Sequence, residues 1–195
     1  AISHALAAGD FGRAADLVEL AIPAMRRTRQ EATVHGWLKV LPDEVVRVRP
    51  VLGVAFAAAL LARGELEGDE SRLRDAERWL DAAADIGAGS APSAEMVVVD
   101  DEEFRRLPAG IELYRAALAL ARGDVPGTVR HARRTLDLSH EEDHLIRAGA
   151  SGLSGLAFWT TGDLEAGHSA YAECMAGLRR AGHIADTFGC AIALA

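Results

Sequence analysis

Gly162-Asp163-Leu164-Glu165-Ala166 reads as a turn joining two helices, and it decides the fold because the chain repeats it. The same pattern stands at Gly9-Asp10-Phe11, Gly64-Glu65-Leu66 and Gly123-Asp124-Val125, each time after a stretch rich in Ala and Leu. Glycine closes a helix in the left-handed conformation without a Cβ penalty. The acidic residue behind it accepts from the free amides that open the next helix. Four such turns predict four antiparallel helix pairs. Gly123 to Gly162 is 39 residues, one uninterrupted two-helix period, whereas Gly9 to Gly64 is 55 and Gly64 to Gly123 is 59, so both earlier intervals carry extra material.

Working outward from the turns, apolar spacing predicts helices over 2–8, 11–27, 31–41, 51–63, 69–86, 103–122, 126–138, 143–161, 164–181 and 184–194. Leu73, Ala76, Leu80 and Ala83 recur at three- and four-residue steps, as do Val129, Ala132 and Leu136, which gives each helix an apolar stripe. One pair cannot cover its own stripe, so stacking follows. The expected fold is all-α, a right-handed superhelix of tetratricopeptide-like antiparallel helix pairs (an α-solenoid), forming a single helical-repeat domain over 1–195. Leu41-Pro42-Asp43 and Arg49-Pro50 bracket a short piece between helices. Gly89-Ser90-Ala91-Pro92 and the acidic run Asp100 to Glu103 predict an irregular exposed loop over 87–108.

Composition agrees. Half of the 195 residues are hydrophobic and 26% charged, as in folded proteins, and the 5% aromatic content suits helix packing better than sheet. A net charge of −8 argues against nucleic-acid binding by this segment itself. The longest apolar run, Val51 to Ala62, falls short of the roughly 20 residues that span a bilayer, so no membrane association is expected. No charged leader opens the chain, which points to the cytoplasm, and the missing initiator Met points to a fragment of a larger protein. The apolar last helix is expected either to continue into further chain or to pack against a second copy. Cys174 and Cys190 form no CxxC pair and read as buried free thiols.

Trp37-Leu38-Lys39-Val40-Leu41-Pro42 followed by Arg49-Pro50-Val51-Leu52 resembles the start of the helical-repeat domain in MalT-like regulators of the LuxR class. Ala8-Gly9-Asp10-Phe11, Ala14-Ala15-Asp16-Leu17 and Gly162-Asp163-Leu164-Glu165-Ala166 extend the resemblance over most of the chain. The resemblance implies a large bacterial ATP-dependent activator built of a nucleotide-binding domain, a winged helix, the repeat superhelix and a C-terminal DNA-binding helix-turn-helix. Only the third part would be present: no GxxxxGK[ST] occurs, so no phosphate cradle and no ATPase chemistry are expected. It further implies a signal-receiving and assembly domain whose concave groove takes a small-molecule effector or a protein partner. The rival reading is a constitutive protein-interaction scaffold.

His140-Glu141-Glu142-Asp143-His144 fits HExxH, two His one helical turn apart with a Glu to activate water, and keeps a zinc hydrolase as a remote alternative. The acidic pair falls between two predicted helices, so the segment reads as a solvated turn, and neither catalytic residues, a metal nor a cofactor are expected. Gly149, Gly152 and Gly155 read as a close-packed helix face, and Arg26, Arg27 and Arg29 as a solvated helix end. The Trp residues Trp37, Trp79 and Trp159 read as core. Ligand-binding candidates are Tyr114, Arg115 and Arg147, which fall on the first helices of their pairs and combine a stacking ring with planar guanidinium donors.

Overall fold

The computed structural model describes residues 1–62, 70–87, 96–183, 186–187 and 190–191. Among these the regular elements are ten α-helices, with no strand: α1 (Ile2–Ala7), α2 (Phe11–Arg27), α3 (Glu31–Leu38), α4 (Asp43–Arg47), α5 (Pro50–Leu61), α6 (Glu70–Gly87), α7 (Asp101–Ala121), α8 (Val125–Leu138), α9 (His144–Thr160) and α10 (Leu164–Arg180). None is long and apolar enough to cross a membrane. The chain divides into two compact units, Ala1–Ile111 and Glu112–Ala195, with α7 running through the boundary.

The repeated turn is real in three of its four positions; the fourth, Gly64-Glu65-Leu66, lies outside the described residues. Gly9, Gly123 and Gly162 have φ of 72°, 75° and 81°, the left-handed region where a Cβ would be strained. The amides of Asp10, Asp124 and Asp163 reach back to the carbonyls of Ala5, Ala119 and Phe158, so the carbonyls left over at each helix end are satisfied. Each Asp carboxylate then accepts from the amide three residues on, at Arg13, Gly127 and Ala166. The sequence reading passes over two further turns of this kind. Gly182 (φ 75°) is followed by His183 rather than an acid, and at 28–30 the left-handed residue is Arg29 (φ 54°).

In the first unit, α5 is apolar on nearly every side and buries Val51, Leu52, Val54, Ala57 and Ala59. It packs on α3, α4, α6 and α2. Gly53 brings it close to α6: a Cβ there would sit 3.5 Å from the Trp79 carbonyl oxygen. Phe56 stacks on Trp79, itself 2% exposed. Trp37 and Trp159 are half-buried.

Of the irregular loop expected over 87–108, residues 101–108 are helical instead. Helix α6 reaches Gly87, residues 88–95 lie outside the described ones, and α7 begins at Asp101, so the acidic run is a first helical turn. Three acids there complement the positive end of the helix dipole, and Asp100 Oδ1 accepts from the amides of Glu102 (3.0 Å) and Glu103 (3.1 Å). Glu103 is 4% exposed and Leu107 8%, so one face of this turn is packed while Asp101 and Glu102 stay exposed.

In the second unit, Ala116, Ala132 and Ala150 from α7, α8 and α9 meet in one core with Leu113, Leu136 and Leu153 around them. The glycines of α9 give close packing, as their spacing predicts. A Cβ at Gly149 would meet Leu113 Cδ1 at 3.2 Å, one at Gly152 would meet Cys174 Sγ at 3.1 Å, and one at Gly155 would enter the Tyr171 ring. Tyr171 stacks on Trp159 with ring centroids 4.4 Å apart, and Gly167 leaves the space that the Trp159 ring fills.

Candidate functional site

The structure places the three sequence-predicted site residues in different roles. Arg147, on α9, donates from Nη1 to the Leu136 carbonyl (2.9 Å) and to Ser139 Oγ (3.0 Å), which satisfies the C-terminal end of α8. Its guanidinium ties α8 to α9. Tyr114 is half-buried on α7. Arg115 belongs to a cluster that the sequence reading does not assemble.

That cluster centres on Glu112, only 8% exposed. Its Oε2 lies 2.7 Å from His131 Nδ1 on α8. Its Oε1 accepts from Arg115 Nη1 at 3.3 Å and lies 3.8 Å from Arg134 Nε. One carboxylate therefore faces two guanidiniums and an imidazole. Arg134 has a side chain 67% exposed, and Arg130 and Arg133, on the same face of α8, are exposed as well. Helical periodicity gathers residues 126, 130, 133, 134 and 137 on that outer face, where Asp137 is the sole acid. Guanidiniums present planar donor pairs that match carboxylates and phosphates, so the arrangement can hold an anionic group. The signal available in the sequence was the run Arg130-His131-Ala132-Arg133-Arg134 within an acidic chain.

The HExxH segment folds as the turn its acidic run predicts. His140 precedes α9, its amide donating to Asp143 Oδ2 at 3.2 Å, while His144 opens the helix, so the two imidazoles do not share a helical turn. Among the described residues no three His, Cys, Asp or Glu side chains gather in a way that could hold a metal ion.

A second polar cluster lies in the first unit. Glu19, on α2, is fully buried and its Oε1 accepts from the amides of Val99 (2.8 Å) and Asp100 (3.1 Å), while Val97 N donates to the Val48 carbonyl. Residues 97–100 are thereby fastened just before α7. Arg49 Nη1 stands 2.7 Å from Asp16 Oδ1 and 3.7 Å from Glu19 Oε2. Both Arg49 Nη1 and Glu19 Oε2 are buried and lack hydrogen-bond geometry to a partner. Burial pushes the Glu19 carboxyl above its ordinary value, against the opposing pull of the two amides and Arg49. Arg26, read from sequence as part of a solvated helix end, instead pairs with buried Glu103 at 2.8 Å.

Compared with protein-family models, with curated proteins and with solved structures, the chain matches none.

Proposed function

We propose that this chain is the recognition domain of a bacterial transcriptional regulator: a right-handed superhelix of tetratricopeptide-like pairs that binds an acidic polypeptide partner and couples that binding to assembly of the parent protein. The observation that carries the reading is the cationic face of α8, where Arg130, Arg133 and Arg134 stand exposed beside the Glu112 cluster in a chain of net charge −8. Oppositely charged surfaces steer encounter and select partners. Exposure bears on the kind of ligand: a small-molecule site encloses about 70–90% of its ligand, which an open helix face does not do. The resemblance carried by Trp37 to Pro42 and Arg49 to Leu52 supports placing the domain in a MalT-like regulator of the cytoplasm, whose nucleotide- and DNA-binding parts lie outside these 195 residues. The domain performs no catalysis. Its partner shifts a population between assembled and unassembled states, and so binds one of them more tightly.

A small anionic effector is the second reading, favoured by the Arg115 and Arg134 guanidiniums that converge on Glu112.

The test is fluorescence anisotropy with a fluorescein-labelled peptide of ten glutamates. Saturable binding that weakens as NaCl rises is expected. Reversing Arg130, Arg133 and Arg134 to Glu should weaken it by roughly tenfold or more, from three exposed pairs each worth up to about 1 kcal/mol. An unchanged affinity in that variant removes the α8 face from the proposal. A small anion retained by the purified chain in native mass spectra would move the reading to the effector.

A further inference from the structure

The two cysteines of the chain, 16 residues apart in sequence, meet in space: Cys174 Sγ and Cys190 Sγ are 3.6 Å from one another. Both are free thiols. Cys174 lies on α10, 6% exposed, in a cluster with Ala148 and Leu178, and Leu145 and Cys190 pack against that cluster. Cys190, in the C-terminal segment, is half-buried. The two residues therefore differ in exposure. On the α9 side, the space beside Cys174 Sγ is closed by Gly152, where even a Cβ would lie at 3.1 Å.

We infer that Cys174 and Cys190 form a modification site, a dithiol that a peroxide converts reversibly into an intramolecular disulfide fastening the C-terminal segment to α10. The order of events follows from access. The Cys190 sulfur, as thiolate, attacks one oxygen of hydrogen peroxide; the O–O bond breaks, Cys190 becomes a sulfenic acid, and water leaves once the departing hydroxide takes up a proton. Cys174 then attacks the Cys190 sulfur, the S–OH bond breaks, and a second water carries off the hydroxyl and the thiol proton. Two thiols and one peroxide give one disulfide and two waters. Forming the bond requires the sulfurs to close from 3.6 Å to about 2 Å, a shift on the order of 1.5 Å.

Burial, with the neighbouring Cys190 sulfur and Asp186 adding to it, pushes the Cys174 thiol up to about 12. Cys174 thus stays protonated at neutral pH and is a poor first target. The second step is intramolecular, and proximity offsets its small thiolate fraction. Because the chain holds two cysteines, no other intrachain pairing competes. A thiol reductant, through thiol–disulfide exchange, restores the starting state.

The test treats the intact folded chain with a slight excess of hydrogen peroxide, then denatures it, adds iodoacetamide and records the intact mass. The expected product is monomeric, lighter by two hydrogens, free of added alkyl groups and returned to the dithiol by dithiothreitol. In Cys174→Ser, where the second step is blocked, dimedone should trap a sulfenic acid on Cys190; in Cys190→Ser, Cys174 should stay unoxidised over the same time. Two alkyl groups on the peroxide-treated chain, a product gaining oxygens without a disulfide, or a disulfide-linked dimer would each overturn the assignment. The wild-type masses decide the matter even if either variant folds poorly.

Discussion

Glu19 shows how far a residue's role can stand from its sequence context. Within Asp16-Leu17-Val18-Glu19-Leu20 it looks like one more polar position on an amphipathic helix, yet it is fully buried and holds the amides of Val99 and Asp100, about 80 residues away. Short-range periodicity carries no information about such a contact, and the same holds for Arg26 on Glu103. Arg49 was visible as part of a motif, but its position between Asp16 and Glu19 was not. The buried carboxylate has a testable pH signature. Because the folded-state pKa of Glu19 is raised above its ordinary 4.5, the stability linked to its proton is full below about 4.5 and is lost as pH rises through the folded value. Glu19→Gln keeps an acceptor for the two amides and removes the titration. The unfolding free energy of wild type minus that of Glu19→Gln should therefore fall as pH rises above about 4.5. Urea titrations at several pH values, followed by Trp fluorescence, check this, and a difference independent of pH would show that Glu19 is not the source. The Glu112 cluster was partly legible: Arg115 was named from its helix face, whereas Glu112 and His131 come together across two helices, which a single-helix pattern does not reveal.

Elements were read more easily than contacts, and the reasons are local. The bounds predicted for α2 match those observed, because Gly9-Asp10 sets its start and Arg26-Arg27 its end with unbroken apolar spacing between. Helix α4 has no sequence signature, because five residues carry too little periodicity. The start of α7 was misplaced because a run of acids reads as loop until something caps it, and here Asp100 does so. The turns at 28–30 and 182–183 lack the Gly-acid pair that marks the others in the sequence. At the turns that do, glycine is required by conformation and not by space: a Cβ at Gly162 would meet nothing within 4 Å, while φ is 81°. Gly162→Ala should cost about 1–2 kcal/mol from the left-handed backbone alone. Gly12→Ala, inside α2 with equally open surroundings, should be neutral or slightly stabilising, since it gains up to about 1 kcal/mol of helix propensity. Thermal denaturation of the two variants side by side separates conformation from packing, and equal effects would refute the distinction.

Across the whole molecule, the helical class was legible because the Gly-acid turn and the apolar spacing recur, whereas the 39-residue interval occurs once, from Gly123 to Gly162. The division into two units is marked only by Pro108 and Gly110, through which α7 continues as one helix past residue 111. The period also relates positions in the second unit: Ala116, Leu120, Thr128 and Ala132 around the Gly123 turn correspond to Gly155, Trp159, Gly167 and Tyr171 around the Gly162 turn. Where the earlier pair sets Ala against Ala, the later sets Gly against Tyr; where the earlier has Leu and Thr, the later has Trp and Gly. Bulk gained on one helix is given up on its partner. Gly167→Thr would drive a side chain into the Trp159 ring and should cost about 2–3 kcal/mol by overpacking. Adding Trp159→Leu should recover more than half of that, and a double-mutant cycle by chemical denaturation that shows simple additivity would sink the idea. The equivalent turns thus join the two pairs in the same way, while the shared-out volumes give each helix a private address. An acid cap and a left-handed glycine say only that some helix comes next, and the fit of Gly167 to Trp159 says which one.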